Sequence, residues 1–213
     1  MVNVQPIDLY ARQISDEKQA SVIDGSSAGT EKRYAVLGKD YKDPDALRKL
    51  AGSIKDHTLH HLDHYLEKAE AALVKNGAHV HFADTDDDAR NTILEILRSH
   101  GVTRLTKSKS MAAEEIHLNP FLIENGIECL ESDLGEFIIQ LDNDEPSHIV
   151  KPIIHLNRRD IAKTFLREGV SETYNDDPRT ITTQARVHLR KKYFEAEAGI
   201  TGANFVSAES GRL

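Results

Sequence analysis

Cysteine is almost missing: Cys129 is the only one among 213 residues. No intrachain disulfide can form. Neither an all-cysteine zinc site nor a thiolate-held iron–sulfur cluster can be assembled from this chain alone. Sparing use of cysteine fits a reducing compartment, and the N-terminus lacks the basic start and apolar core of a signal peptide, so a cytoplasmic location is expected. No apolar run approaches the ~18 residues of a membrane span. Tryptophan is absent and aromatics make up 6%, which argues against a base-stacking platform. Basic charge is also short, with 27 Lys and Arg against 35 Asp and Glu, for a net charge of −8. A phosphate-backbone binder needs the opposite sign, so no nucleic-acid partner is expected.

What the chain does have is enough length to bury ~70% of its unfolded surface. Residues 1–43 are polar and weakly patterned and read as an N-terminal arm, with order expected from Pro44. Beyond it, Leu47, Leu50, Ala51, Ile54, Thr58, Leu62, Tyr65, Ala69, Ala72 and Leu73 recur every three or four residues. That stripe predicts one long amphipathic helix, stopped at Asn76-Gly77. Then follow a predicted strand over 79–83, a helix over 85–99, a strand over 103–106, a helix over 112–125 and a strand over 127–131. Short loops between alternating strands and helices predict an α/β fold with a largely parallel sheet flanked by helices. A short helix over 134–141 is expected next, then a mixed stretch over 148–155 and helices over 158–167 and 178–198. The run 199–208 reads as a turn leading into β-like sequence, and the chain reads as cut short of a covering helix.

Four constellations carry candidate chemistry. Lys107, Ser108, Lys109 and Ser110 lie between a strand end and a helix start, where free N–H groups and two ammonium groups suit an anion; an ordinary Ser110 N-cap explains the same residues. Asp84, Asp86, Asp88 and Glu95 have calcium-loop spacing, but Ala89 replaces the needed glycine, and a Thr85-capped helix accounts for them. His57, His60, His61 and His64 form i,i+4 pairs able to chelate a metal, with Glu67 nearby, yet read as a solvated face. No native metal site is expected. Finally, Thr201, Gly202, Asn204, Glu209, Ser210 and Gly211 form a glycine-punctuated segment in which Glu209 suits a base or nucleophile near a strand's carboxyl end. His148 and His155 are further candidates.

Several stretches in one order resemble the lactate utilization protein B family, the iron–sulfur subunit that carries a LUD domain. They are Ile54-Lys55-Asp56-His57-Thr58-Leu59, Leu62-Asp63-His64-Tyr65-Leu66, Lys107-Ser108-Lys109-Ser110-Met111 with Glu114-Glu115-Ile116, and Leu118-Asn119. The others are Asp133-Leu134-Gly135-Glu136-Phe137-Ile138-Ile139-Gln140-Leu141, Pro146-Ser147-His148-Ile149-Val150, and Gly199-Ile200-Thr201-Gly202-Ala203-Asn204-Phe205 ahead of Ala208-Glu209-Ser210-Gly211. The family usually has Thr where Ser210 stands and a small residue at Lys151. The resemblance implies residues 44–213 as a truncated LUD domain with a fold like the NagB/RpiA/CoA-transferase group, incomplete at its C-terminus. It also implies partner subunits in a cytoplasmic system oxidising L-lactate to pyruvate, with iron–sulfur clusters held by cysteines of a further region. The chain alone is expected to be inactive and to hold no cofactor, and the resemblance carries over no catalytic residue. Two alternatives are a CoA- or phosphosugar-type binding or transfer module using Lys107–Ser110 and Glu209, and a non-catalytic assembly piece.

Overall fold

A computed structural model describes residues 16–147 and 151–213. Two compact units divide the chain, one built around Ala83–Gly202 and the other from Ile23–Phe82 with Ala203–Leu213.

The second unit is helical. Helix α1 (Asp16–Asp40) sets in well before Pro44, so order starts earlier than the polar sequence predicts. Its weak amphipathicity left no periodic signal to read. Helix α2 (Pro44–His60) begins where Asp43 accepts the Ala46 N–H at 2.9 Å and Pro44 occupies the first turn. The predicted long helix is divided at His61, whose φ of −126° and ψ of 36° leave the helix before α3 (Leu62–Lys75) begins. Apolar positions continue on both sides of this one-residue break, which is why a three-four periodicity passes over it. Gly77, at φ +89°, ends the segment as expected. The expected strand at 79–83 does not form, because no described strand pairs with it. Near the C-terminus a turn is closed by the Ser207–Arg212 bridge, and Asn76 donates to the Ser210 carbonyl at 2.8 Å.

The Ala83–Gly202 unit contains every buried residue described. Thr85 caps α4 (Asp86–Ser99), its Oγ1 accepting the Asp88 N–H, and strand β1 (Arg104–Lys107) follows. The helix predicted over 112–125 is two: α5 (Met111–Glu115) and α6 (Leu118–Glu124). Pro120 has no N–H to give the Ile116 carbonyl, so a continuous helix would lose a bond there. Instead His117 adopts left-handed dihedrals (φ 50°, ψ 43°), and Arg90 Nη1 donates to the freed carbonyl at 3.2 Å. Strand β2 (Glu128–Glu131), α7 (Leu134–Asp142), α8 (Arg158–Arg167), α9 (Pro178–Glu195) and β3 (Ala198–Ile200) complete the unit. The β-structure at the end of the chain therefore precedes the glycine turn and is three residues long, against the longer run expected after it.

All three strands are parallel in the order β2-β1-β3, with Leu105 opposite Cys129 and Lys107 opposite Glu131. Alternation along the strands separates two cores. Leu105 and Cys129 join Leu94, Leu97, Leu118 and Leu122 on one face. Leu130 packs on the other face against Phe137, Phe165 and Ile181. A helix layer on each face of a parallel sheet is the expected α/β arrangement. At the opposite strand ends, Glu197 accepts N–H bonds from Thr103 (2.6 Å) and Arg104 (3.1 Å) and ties β3 to β1. These bonds hold its carboxyl below the usual range. No helix among the described residues is long and apolar enough to cross a membrane.

Candidate functional site

Strand β1 ends on Lys107 and strand β2 on Glu131, and the parallel register sets the two side by side on one face of the sheet. Lys107 is 1% exposed and Glu131 4%, and the Lys107 Nζ stands 2.8 Å from Glu131 Oε1. A charge this deep persists only when paired. Asn119, on α6, donates to the same Oε1. Gln140, on α7, replaces a missing strand along the free edge of β2: its Oε1 accepts the Glu131 N–H at 3.1 Å and its Nε2 donates to the Cys129 carbonyl at 2.7 Å.

Beside this pair lies a second one. Lys109 Nζ donates to Glu136, a buried residue on α7, and stands 3.9 Å from Glu114 Oε1 on α5. Burial raises the Glu114 pKa above its ordinary 4.5, with the neighbouring Glu136 adding to the effect. Three carboxylates thus meet two ammonium groups at the carboxyl ends of β1 and β2, the end at which open α/β sheets bind ligands. A cavity of about 620 Å³ opens there, with Glu114, Glu131, Glu136, His117, Asn119 and Gln140 in its wall. Among the described residues, the two non-glycine residues with positive φ, His117 and Asn143, also line it. Such backbone conformations concentrate at functional sites.

Among the residues expected from sequence, Lys107 and Lys109 do come together at a strand end, but both already face carboxylates of the same chain. Ser110 caps α5, accepting the Ala113 N–H, and Gly202 lies against it: a Cβ there would stand 2.9 Å from Ser110 Oγ. Ser108 donates its N–H to the Ile200 carbonyl at 2.8 Å, continuing the ladder. Thr201 is exposed on the same unit. Asn204, Glu209, Ser210 and Gly211 belong to the other unit. There Glu209 stands in the bridged turn and not at a sheet strand's end, and Gly211 (φ +62°) approaches Ala72 so closely that a Cβ would meet its carbonyl oxygen at 2.9 Å. His155 joins Asp144 (2.9 Å) and Ser147 beside the cavity, whose wall includes Asp144. His148 lies outside the described residues. The histidines of α2 and α3 are exposed, with His57 Nε2 3.1 Å from Tyr65 Oη, and no metal-holding group of three donors exists among the described residues.

Sequence reasoning missed Glu114, Glu131 and Glu136 as members of the site. A readable signal existed: Lys107 directly follows one predicted strand and Glu131 ends the next, with opposite charges, and Glu136 and Gln140 stand four apart in a largely apolar helix.

Residues 66–213 match the LUD domain family. The chain belongs to that family. Curated relatives agree on the kind of protein. The LUD-domain chain is 46% identical over 166 residues to Lactate utilization protein B of Bacillus cytotoxicus, covering 78% of this chain and 35% of the relative. It is 41% identical over 206 residues to Lactate utilization protein B of an Exiguobacterium species, covering 97% of this chain and 42% of the relative. The chain therefore spans less than half the length of these relatives. No solved structure matches it significantly. The residues present do not fit an iron–sulfur cluster. Cys129 is 2% exposed, burial pushes its thiol up to about 12, and it has no second thiol to join.

Proposed function

We propose that this chain is the LUD-domain portion of a lactate-utilization subunit that serves the oxidation of L-lactate to pyruvate together with partner subunits. The observation that carries this reading is the 41% identity that runs through 97% of the chain to a Lactate utilization protein B. In this role the domain supplies scaffold and binding surface. Electron transfer through iron–sulfur clusters belongs to cysteine-bearing sequence outside these 213 residues, since Cys129 is buried and alone. A transfer module built on Lys107 and Lys109 receives less support, because both ammonium groups are neutralised by Glu131 and Glu136. Deleting the encoding gene in its host and measuring growth on L-lactate as sole carbon source tests the reading. Growth is expected to fail on L-lactate, to persist on pyruvate and to return on complementation. Undiminished growth on L-lactate would overturn it.

A further inference from the structure

The cavity at the sheet edge is too acidic for lactate, pyruvate or a phosphate ester. Its wall contains Glu114, Glu131, Glu136, Asp144 and Glu145 and no lysine or arginine. Behind the wall Lys107 and Lys109 face Glu131, Glu136 and Glu114, and His155 stands 2.9 Å from Asp144. Two carboxylate oxygens, Glu131 Oε2 and Glu114 Oε1, are buried without a hydrogen-bond partner among the described residues. Glu131 is 4% exposed, so its second oxygen has lost bulk water without gaining a donor, a costly state for a charged acceptor. A ligand that donates hydrogen bonds removes that cost. No three His, Cys, Asp or Glu residues among those described sit close enough to hold a metal ion. Beside the acids, the wall has an apolar part that includes Leu118, Pro120, Ile123 and Ile139, and a polar part that includes His117, Asn119, Gln140 and Asn143. Its volume of about 620 Å³ falls within the range of small-molecule sites.

We propose that this cavity binds a small organic amine, its ammonium group donating to Glu131 Oε2 and Glu114 Oε1 and its apolar body resting on Leu118, Pro120 and Ile123. Charge-assisted bonds to two carboxylates fix the head group, and the excess of negative charge excludes carboxylate and phosphate ligands. The lactate-utilization reading rests on sequence identity and not on this cavity, so failure of the amine proposal leaves it standing.

The test compares two probes with the same body and opposite heads, 4-phenylbutylammonium and 4-phenylbutyrate, titrated calorimetrically into the full chain at neutral pH. Saturable binding of the amine, at least ~10-fold tighter than the carboxylate, is expected. Glu131→Gln and Glu114→Gln should each weaken the amine about tenfold. Should Glu131→Gln fail to fold with Lys107 left unpaired, Glu114→Gln decides, because Glu114 is only half-buried and its circular dichroism should match the parent's. Equal binding of both probes, no binding of the amine, or amine affinity unchanged in a folded Glu114→Gln protein would overturn the proposal.

Discussion

The two units carry equally legible apolar stripes and treat them in opposite ways. In Ala83–Gly202, Leu94 and Leu97 of α4 and Phe137 and Ile138 of α7 are buried against the sheet. In the helical unit no residue of α2 or α3 is fully buried: on α2 Leu50 is 57% exposed and Ile54 58%, while Tyr65, Ala69, Ala72 and Leu73 of α3 are half-buried. Periodicity reports that a helix has an apolar side, and says nothing about whether another element covers it. Stability and chemistry both gather where the sheet supplies the second layer.

The sharpest way to break this contrast is to truncate one apolar side chain in each unit. Phe165→Ala should cost about 3–5 kcal/mol by urea denaturation. Ile54→Ala should stay within about 0.5 kcal/mol. Equal losses would erase the distinction. Next in size is the buried pair. Lys107→Met removes the counter-ion of buried Glu131 and should cost about 3–5 kcal/mol, whereas adding Glu131→Leu should restore most of it. Failure of the double variant to recover would show that the pair does more than neutralise itself. Helix caps come third. Asn157→Ala, which breaks the capping box with Asp160 on α8, should cost about 1 kcal/mol, and Asp43→Ala on the uncovered α2 about 0.5.

The smallest effects are in pH dependence, and they have opposite signs. Glu197 has its pKa lowered by backbone N–H bonds, so its stabilisation is present above 4.5 and lost as pH falls through the folded value. Glu114 has its pKa raised by burial, so its contribution is full below 4.5 and lost as pH rises through the folded value. Stability curves of Glu197→Gln and Glu114→Gln against pH should therefore depart from the parent in opposite directions. Departures of the same sign would contradict the assignment.

Much of the Ala83–Gly202 unit could be read from local chemistry. Helix α8 falls at the expected residues because Asn157 and Asp160 write its start, and β1 and β2 fall within one residue of expectation because each follows a turn glycine, Gly101 or Gly126, that closes the preceding helix. Errors arose where a distant partner decides. The 79–83 segment alternates like a strand yet lacks a neighbour among the described strands, whereas the break at His117 follows from a local signal, Pro120, that the apolar pattern passed over. The site was half legible for the same reason. Lys107 and Lys109 could be placed at a strand end, but that their partners are Glu131 and Glu136 follows from parallel register and from the packing of α7, which no single segment encodes.

Native-state hydrogen exchange on the full chain tests the contrast between the units most directly. Amides of β1, β2 and α7 should exchange only through the rarest openings, while those of α2, whose Leu50 and Ile54 are exposed, should exchange orders of magnitude faster. Equal protection in α2 would contradict the account, because it would mean that its apolar face is covered in solution.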